Sequence, residues 1–285
     1  MKIVLIGSGN VASHLGQALI KSGHQVLQVY SRTLEHAQEL VTILTTAKGS
    51  VKGSAKGSGE NRLTIPIARL DRLDREADLY FICVSDQAIA EIIAQLPAGL
   101  KGVVVHTSGS TSISVFADAG ASGAGSGAYR GKYGVFYPVQ TFSKAKTIDF
   151  KNIPLALEAS DPDTYKILYG IAGGLSERVF PCDSTQREAI HIAAVFACNF
   201  SNYLYTVADR ILQQHGLDFE LIRPLILETV EKAQHFAPAS VQTGPAVRKD
   251  LKIVQQHLDF LDREELADPR IRQLYALISE MLAGK

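Results

Sequence analysis

The sequence predicts an α/β fold, a doubly wound parallel sheet followed by a smaller all-α domain. Three observations predict it. Short apolar runs alternate with helical patterns through the first half, a glycine-rich turn joins the first run to the first helix, and beyond residue 182 the pattern is almost wholly helical. The expected division is therefore 1–182 for the sheet domain and 183–285 for the helical one.

"KIVLI" (2–6), "QVLQVY" (25–30), "DLYFICV" (78–84) and "GVVVH" (102–106) are continuous apolar runs, as in strands buried on both faces. Between the first two, Val11, Leu15, Ala18 and Leu19 make one helical stripe that stops at Gly23. "GVFYPVQTF" (134–142), "IPLALEA" (153–159) and "ERVFPC" (177–182) read as further strands. Residues 183–216 read as a long helix with a capping box in Asp183 and Gln186 and a stop at Gly216. Helical segments at 218–236, 246–263 and 268–283 follow, with Pro224 kinking the first or marking its true start. Two Gly/Ser-rich stretches, 46–61 and 118–132, are expected to be surface excursions, and neither has the residue order of a phosphate-binding P-loop.

The 285 residues are 46% hydrophobic and 20% charged, with 29 basic and 29 acidic side chains. That balance argues against a nucleic-acid surface. Cys83, Cys182 and Cys198 lack paired spacing and read as thiols of a reducing compartment. No run is long enough to span a membrane, and "MKIVLIGSGN" is apolar too briefly for a signal peptide, so a cytoplasmic location is expected. The histidines are scattered with no i, i+4 pair, so no metal site is expected.

"KIVLIGSGNVASHLG" places Gly7, Gly9 and Ala12 in the order GxGxxA between a strand and a helix. Gly7 permits the tight turn and Gly9 lets backbone approach a pyrophosphate. Ala12 lets helix and strand pack, and the free N–H groups at Asn10 and Val11 face the phosphates. This is the Rossmann fingerprint. An NAD site usually carries Asp or Glu at the end of the second strand, but "QVYSRT" ends in Ser31, Arg32 and Thr33. A permanently charged guanidinium with two hydroxyls suits a 2′-phosphate, which implies NADP. "VSDQAI" (84–89) and "HTSGS" (106–110) end the next two strands, so Val84, Ser85, Thr107 and Ser108 should border the nicotinamide end. Asp86 reads equally as a helix cap, and His106 equally as a buried histidine or a proton donor.

On "IGSGNVA", "SRT" and "VSDQAI" the first half resembles the pyrroline-carboxylate reductase and β-hydroxyacid dehydrogenase superfamily. On "HTSGS", "YPVQTF", "HIAAVFACNF" and "TGPAVRKD" the whole chain resembles a narrower branch. Its members are Rossmann-like NADP oxidoreductases with a helical C-terminal domain of unknown function. The resemblance implies the fold, the cofactor and a homodimer through the helical domain, and supplies no substrate. Relatives often carry His where this chain has Tyr137, which puts a family role at that position in question.

Along the long helix, Ile192, Ala193, Phe196, Ala197, Phe200, Leu204, Val207 and Ile211 fall on one apolar side, expected to form the domain core. Glu188, His191, Val195, Cys198, Asn199 and Asn202 fall on the other, a mid-polar face that suits either a cleft wall or a subunit interface. Reduction of a carbonyl or imine needs a proton donor or a group that polarises the acceptor atom. His191 is the first candidate, Asn199 its orienting partner and His106 the competitor. In "QTGPAVRKD", Gly244 and Pro245 break two helices, and Arg248, Lys249 and Asp250 are placed in the first turn of the second. Cations are out of place there unless an anion is near, so Thr243 and Arg248, with Asn202, are expected to line a substrate site. The expected protein is an NADP-dependent oxidoreductase acting on a small anionic imine, ketone or hydroxy acid. The alternatives are a non-catalytic dinucleotide-binding regulator and a deazaflavin-dependent NADP reductase.

Overall fold

The computed structural model describes residues 1–49, 63–119, 129–143, 146, 148–263 and 268–284. Most of the two Gly/Ser-rich stretches, 50–62 and 120–128, lies outside the described residues. Of the first stretch, residues 46–49 instead extend a helix. The chain divides into two compact units, Met1–Ala194 and Val195–Lys285.

The first unit is an eight-stranded sheet in the order β3-β2-β1-β4-β5-β6-β7-β8. Its strands are β1 (Lys2–Ile6), β2 (Gln25–Tyr30), β3 (Ile65–Ile67), β4 (Leu79–Ile82), β5 (Val103–His106), β6 (Tyr133–Pro138), β7 (Leu155–Ala159) and β8 (Val179–Pro181). Pairings from β3 across to β6 are parallel, β7 runs antiparallel to β6, and β8 is parallel to β7. The helices of this unit are α1 (Asn10–Lys21), α2 (Leu34–Gly49), α3 (Asp86–Ala94), the single turn α4 (Val115–Asp118), α5 (Pro162–Gly173) and α6 (Ser184–Ala194).

Alternation along the strands builds two cores at once. Ile3, Leu5, Leu79, Phe81, Val103 and Val105 pack with Leu15, Leu19 and Leu44 of α1 and α2. Val4, Ile6, Tyr80, Ile82 and Val104 pack with Ile89 and Ile93 of α3 and with Phe116. Period-two alternation sends adjacent side chains to opposite faces, so a strand covered on both sides needs the unbroken apolar run seen in the sequence. The chain leaves β1 outward through β2 and β3 and then returns to β4 on the other side of β1. The reversal puts the topological switch point at the carboxyl ends of β1 and β4.

Strand β3 went unread in the sequence. It has three residues, Pro66 at its centre and Ile65 54% exposed, as befits an edge where a missing N–H is tolerated.

The second unit opens with a π-helical segment, Val195–Phe200, followed by α7 (Ser201–Gln214), α8 (Arg223–His235), α9 (Leu251–Arg263) and α10 (Arg270–Ala283). Helices α9 and α10 are tied by a 2.7 Å bond between His257 Nδ1 and Tyr275 Oη and by an ion pair of Arg272 with Asp262. Pro224 falls in the first turn of α8 and so marks a start, while Gly216 ends the preceding segment at φ +69.

Two expectations need correction. The face from Ile192 to Leu204 was expected in a core, but Ile192, Phe196, Phe200 and Leu204 are 50%, 65%, 49% and 40% exposed. Of that face Val207 alone is buried among the described residues. Apolar periodicity marks a face without saying whether the chain's own core covers it. The helix expected from 246 begins instead at Leu251. Residues 245–249 are a turn, with Lys249 at φ +57, and Asp250 accepts a 3.3 Å bond from the Ile253 N–H as the cap of α9. Arg248 and Lys249 therefore precede the helix, and the dipole conflict that motivated an anionic partner for them disappears.

Candidate functional site

The carboxyl ends of β1, β2, β4, β5 and β6 lie along one edge of the sheet, and most of the residues singled out in the first half of the sequence gather there. At its centre is the β1–α1 turn. Gly7 has φ +123 and donates its N–H to the Tyr30 carbonyl at 2.8 Å. A Cβ on Gly7 would sit 2.3 Å from the Cys83 carbonyl oxygen, so no larger residue fits between the ends of β1 and β4.

Gly9 occupies the N-cap position of α1 in extended backbone, and a Cβ there would meet nothing within 4 Å. No side chain caps the helix and its first turn holds no acid. Free N–H groups, the positive end of the dipole and open space ahead of them make a cradle that fits a pyrophosphate. Val11 and Ala12 pack inward. The Asn10 side chain is engaged elsewhere: its Nδ2 donates to the Phe142 carbonyl at 3.0 Å, while His14 Nε2 lies 2.9 Å from the Ser143 carbonyl. These bonds strap the segment after β6 onto α1.

At the end of β2, Ser31 donates its backbone N–H to Ile67, and Arg32 and Thr33 are exposed. Arg32 forms no ion pair with any described residue. A guanidinium flanked by two hydroxyl residues, with no carboxylate beside it, fits a 2′-phosphate.

After β4 come Val84 and the exposed Ser85, the N-cap residue of α3. Asp86 opens that helix, and its Oδ2 accepts from Ser110 Oγ at 2.6 Å. After β5, Thr107 bonds the Ile82 carbonyl through N–H and hydroxyl. Ser108 Oγ is turned inward and accepts from the N–H groups of Ser110 and Thr111 at 3.1 and 3.0 Å. Its hydroxyl thus shapes the loop.

His106 is fully buried, stacked on Phe116 and accepting the Ser108 N–H at Nδ1. Burial, and secondarily the Arg187 charge, push its pKa down to about 3 against the pull of Asp86 and the Ser112 backbone. It is a neutral imidazole at physiological pH.

His191 stands differently. It lies half-buried on α6, and its Nδ1 is 3.4 Å from the hydroxyl of Tyr137 on β6. Gly109 backs both rings. A Cβ there would come within 2.8 Å of His191 Nδ1 and 2.9 Å of Tyr137 Oη, so this approach needs glycine. One turn earlier on α6, Arg187 is 1% exposed and bonds Glu158, the Thr111 carbonyl and Ser184 Oγ. Ser184 in turn donates to Glu158 and accepts from the Ile113 N–H. The capping box of Asp183 and Gln186 closes both of its bonds, at 3.1 and 2.8 Å. Arg187, Glu158 and Gly109 went unread as site elements. Their only sequence signal was the i, i+4 spacing of Arg187 and His191, which puts both on one helix face.

Four candidates belong to the second unit. Asn199 lies in the π segment and Asn202 in the first turn of α7, both exposed. Thr243 borders an apolar cleft of that unit with Pro245, Ala246 and Ile271, and Arg248 is exposed in the turn before α9.

A mostly parallel sheet with a phosphate-sized cradle at its switch point defines a Rossmann-type dinucleotide-binding fold. Residues 2–107 match the family described as NADP oxidoreductase, coenzyme F420-dependent, and residues 153–282 match a domain of unknown function, DUF2520. A Bacteroides fragilis protein described as a putative NADP oxidoreductase superposes with a TM-score of 0.82 at 37% identity, over 100% of this chain and 98% of that one. The chain belongs to the family of that protein, NADP oxidoreductase-type proteins that bind a nicotinamide dinucleotide. A Thermotoga maritima protein superposes at 0.64 with 22% identity, over 99% and 97% of the two chains. A prephenate dehydrogenase from A. aeolicus, in complex with hydroxyphenyl propionate and NAD+, superposes at 0.52 with 12% identity, over 99% and 98%. These two likenesses concern the fold alone. No curated protein matches the sequence. No helix among the described residues is long and apolar enough to cross a membrane.

The His106 environment has a consequence for stability. Above pH 6.5 folded and unfolded chains both hold it neutral, whereas below that the unfolded chain takes a proton the folded one refuses down to about 3. Stability is therefore lost as pH falls, by about 1.4 kcal/mol per pH unit from this residue. Urea midpoints of wild type and His106→Gln should converge between pH 7 and 5, and the His106 ring should show no NMR titration near 6.5. A ring that titrates near 6.5 contradicts the assignment.

Proposed function

We propose that the protein is an NADP-dependent oxidoreductase that moves a hydride between NADP(H) and a small anionic metabolite, an imine, ketone or hydroxy acid. The observation that carries this reading is the pairing of the uncapped α1 N-terminus behind Gly7 and Gly9 with a free Arg32 at the end of β2. The N–H groups at the start of α1 would hold the pyrophosphate, and Ser31, Arg32 and Thr33 the 2′-phosphate. Val84, Ser85, Thr107 and Ser108 border the place the strand ends leave for the nicotinamide. When bound, the nicotinamide supplies or accepts the hydride. The group that polarises the hydride-accepting atom, while solvent supplies the matching proton, is assigned to His191, which is half-buried, rather than to His106, which is sealed from solvent.

We further infer a homodimer formed through the helical unit. Phe196, Phe200, Leu221, Leu225, Leu227 and Leu251 are between 49% and 68% exposed there, apolar side chains on several helix faces that a second copy would cover. Sedimentation should give twice the 30.9 kDa chain mass, and Leu225→Glu with Leu227→Glu should shift it to monomer. A wild-type monomer at micromolar concentration rules this arrangement out.

Titration decides the cofactor. NADPH should bind more tightly than NADH, and Arg32→Ala should erase that preference, costing about 10–100-fold in NADPH affinity and little in NADH. Equal affinities in wild type, or NADPH binding untouched by the substitution, would overturn the 2′-phosphate assignment. The match of residues 2–107 to a coenzyme F420-dependent family favours a second reading, in which NADPH oxidation appears only with a deazaflavin acceptor. Tight NADPH binding without turnover on any imine, ketone, hydroxy acid or deazaflavin would mark a regulatory protein.

A further inference from the structure

Tyr137 is 8% exposed at the end of β6, and His191 is the one described residue that hydrogen-bonds its hydroxyl. Hiding an O–H without an acceptor is costly, and the acceptor within reach is the Nδ1 lone pair. An imidazole that receives a proton donor at Nδ1 must, when neutral, carry its own proton on Nε2, the opposite edge of the ring. We propose that Tyr137 is a positioning residue for His191, fixing the tautomer and ring plane so that Nε2–H is offered to substrate as a hydrogen-bond donor that polarises the hydride-accepting atom, the proton staying on the ring.

The surroundings support this one arrangement. The two rings meet edge to face at 72°, and the bare Gly109 backbone closes the side on which either would swing. Arg187, bonded to Glu158 and Thr111, holds the turn of α6 that carries His191. Burial, then the Asp86 charge, raises the phenol pKa while Arg187 opposes it, so the hydroxyl keeps its proton at neutral pH. The contact of Nε2–H with substrate rests on the oxidoreductase reading, whereas the Tyr137–His191 geometry does not.

The experiment is a two-bond proton–nitrogen NMR spectrum of the full chain with 15N-labelled histidine, at a pH where His191 is neutral. His191→Gln identifies the resonance among the eight histidines. Wild type should show an unprotonated, hydrogen-bonded Nδ1 and a protonated Nε2. Tyr137→Phe should move both nitrogens toward the average of the two tautomers and leave NADPH affinity unchanged, a signature that loss of packing alone does not produce. A wild-type spectrum with the proton on Nδ1, or a pattern unmoved in Tyr137→Phe, overturns the proposal. Should Tyr137→Phe fail to fold, the wild-type spectrum still decides. Failure of wild type to bind NADPH would sink the oxidoreductase reading and leave the tautomer result standing.

Discussion

The structure of the first unit turns on a steric constraint at one residue. Gly7 lies so close to the Cys83 carbonyl that only a hydrogen fits, and this contact brings the ends of β1 and β4 together at the reversal of strand order. The tight turn in turn starts α1 at Asn10, directly over the carboxyl edge of the sheet. A helix start there normally recruits a Ser, Thr, Asp or Asn cap, but this one has Gly9 and open space. An anion placed there would take bonds from these N–H groups and meet the positive end of the helix.

A second fixed point is the buried Arg187. Its charge is matched by Glu158 on β7, and its remaining donors go to Thr111 and Ser184. Breaking such a pair leaves an uncompensated buried charge, which is strongly destabilising. Through it, α6, β7 and the loop after β5 share one network, and His191 is carried to Tyr137 with Gly109 behind. The same charge adds to the neutralisation of His106 and opposes the rise in the Tyr137 pKa.

Much of this was legible in the sequence because it depends on local chemistry. β1 and β2 match their apolar runs residue for residue, since burial on both faces leaves no alternation to misread. Gly7 and Gly9 were legible because positive φ and missing Cβ atoms are properties of the residue itself. The rest depends on tertiary partners. β3 was hidden by Pro66, and the exposure of the face from Ile192 to Leu204 by its apolar spacing, which reads the same as that of a core face. Asp250 was placed inside a helix that it in fact caps, because the Lys249 backbone turn has no glycine to announce it. The bonds of Arg187 and Tyr137 were not legible, since each is made with a partner more than two dozen residues away.

The central claim is that the empty cap position of α1 is kept for a dinucleotide phosphate. Gly9→Asp tests it directly, because the extended backbone and open space accept an Asp side chain without strain. A carboxylate there would cap the helix and oppose a phosphate at once. Thermal unfolding and NADPH titration of this variant should therefore move in opposite directions: a melting temperature kept or raised, and NADPH affinity weakened by at least about 100-fold. Wild-type NADPH affinity in a folded Gly9→Asp protein would contradict the account.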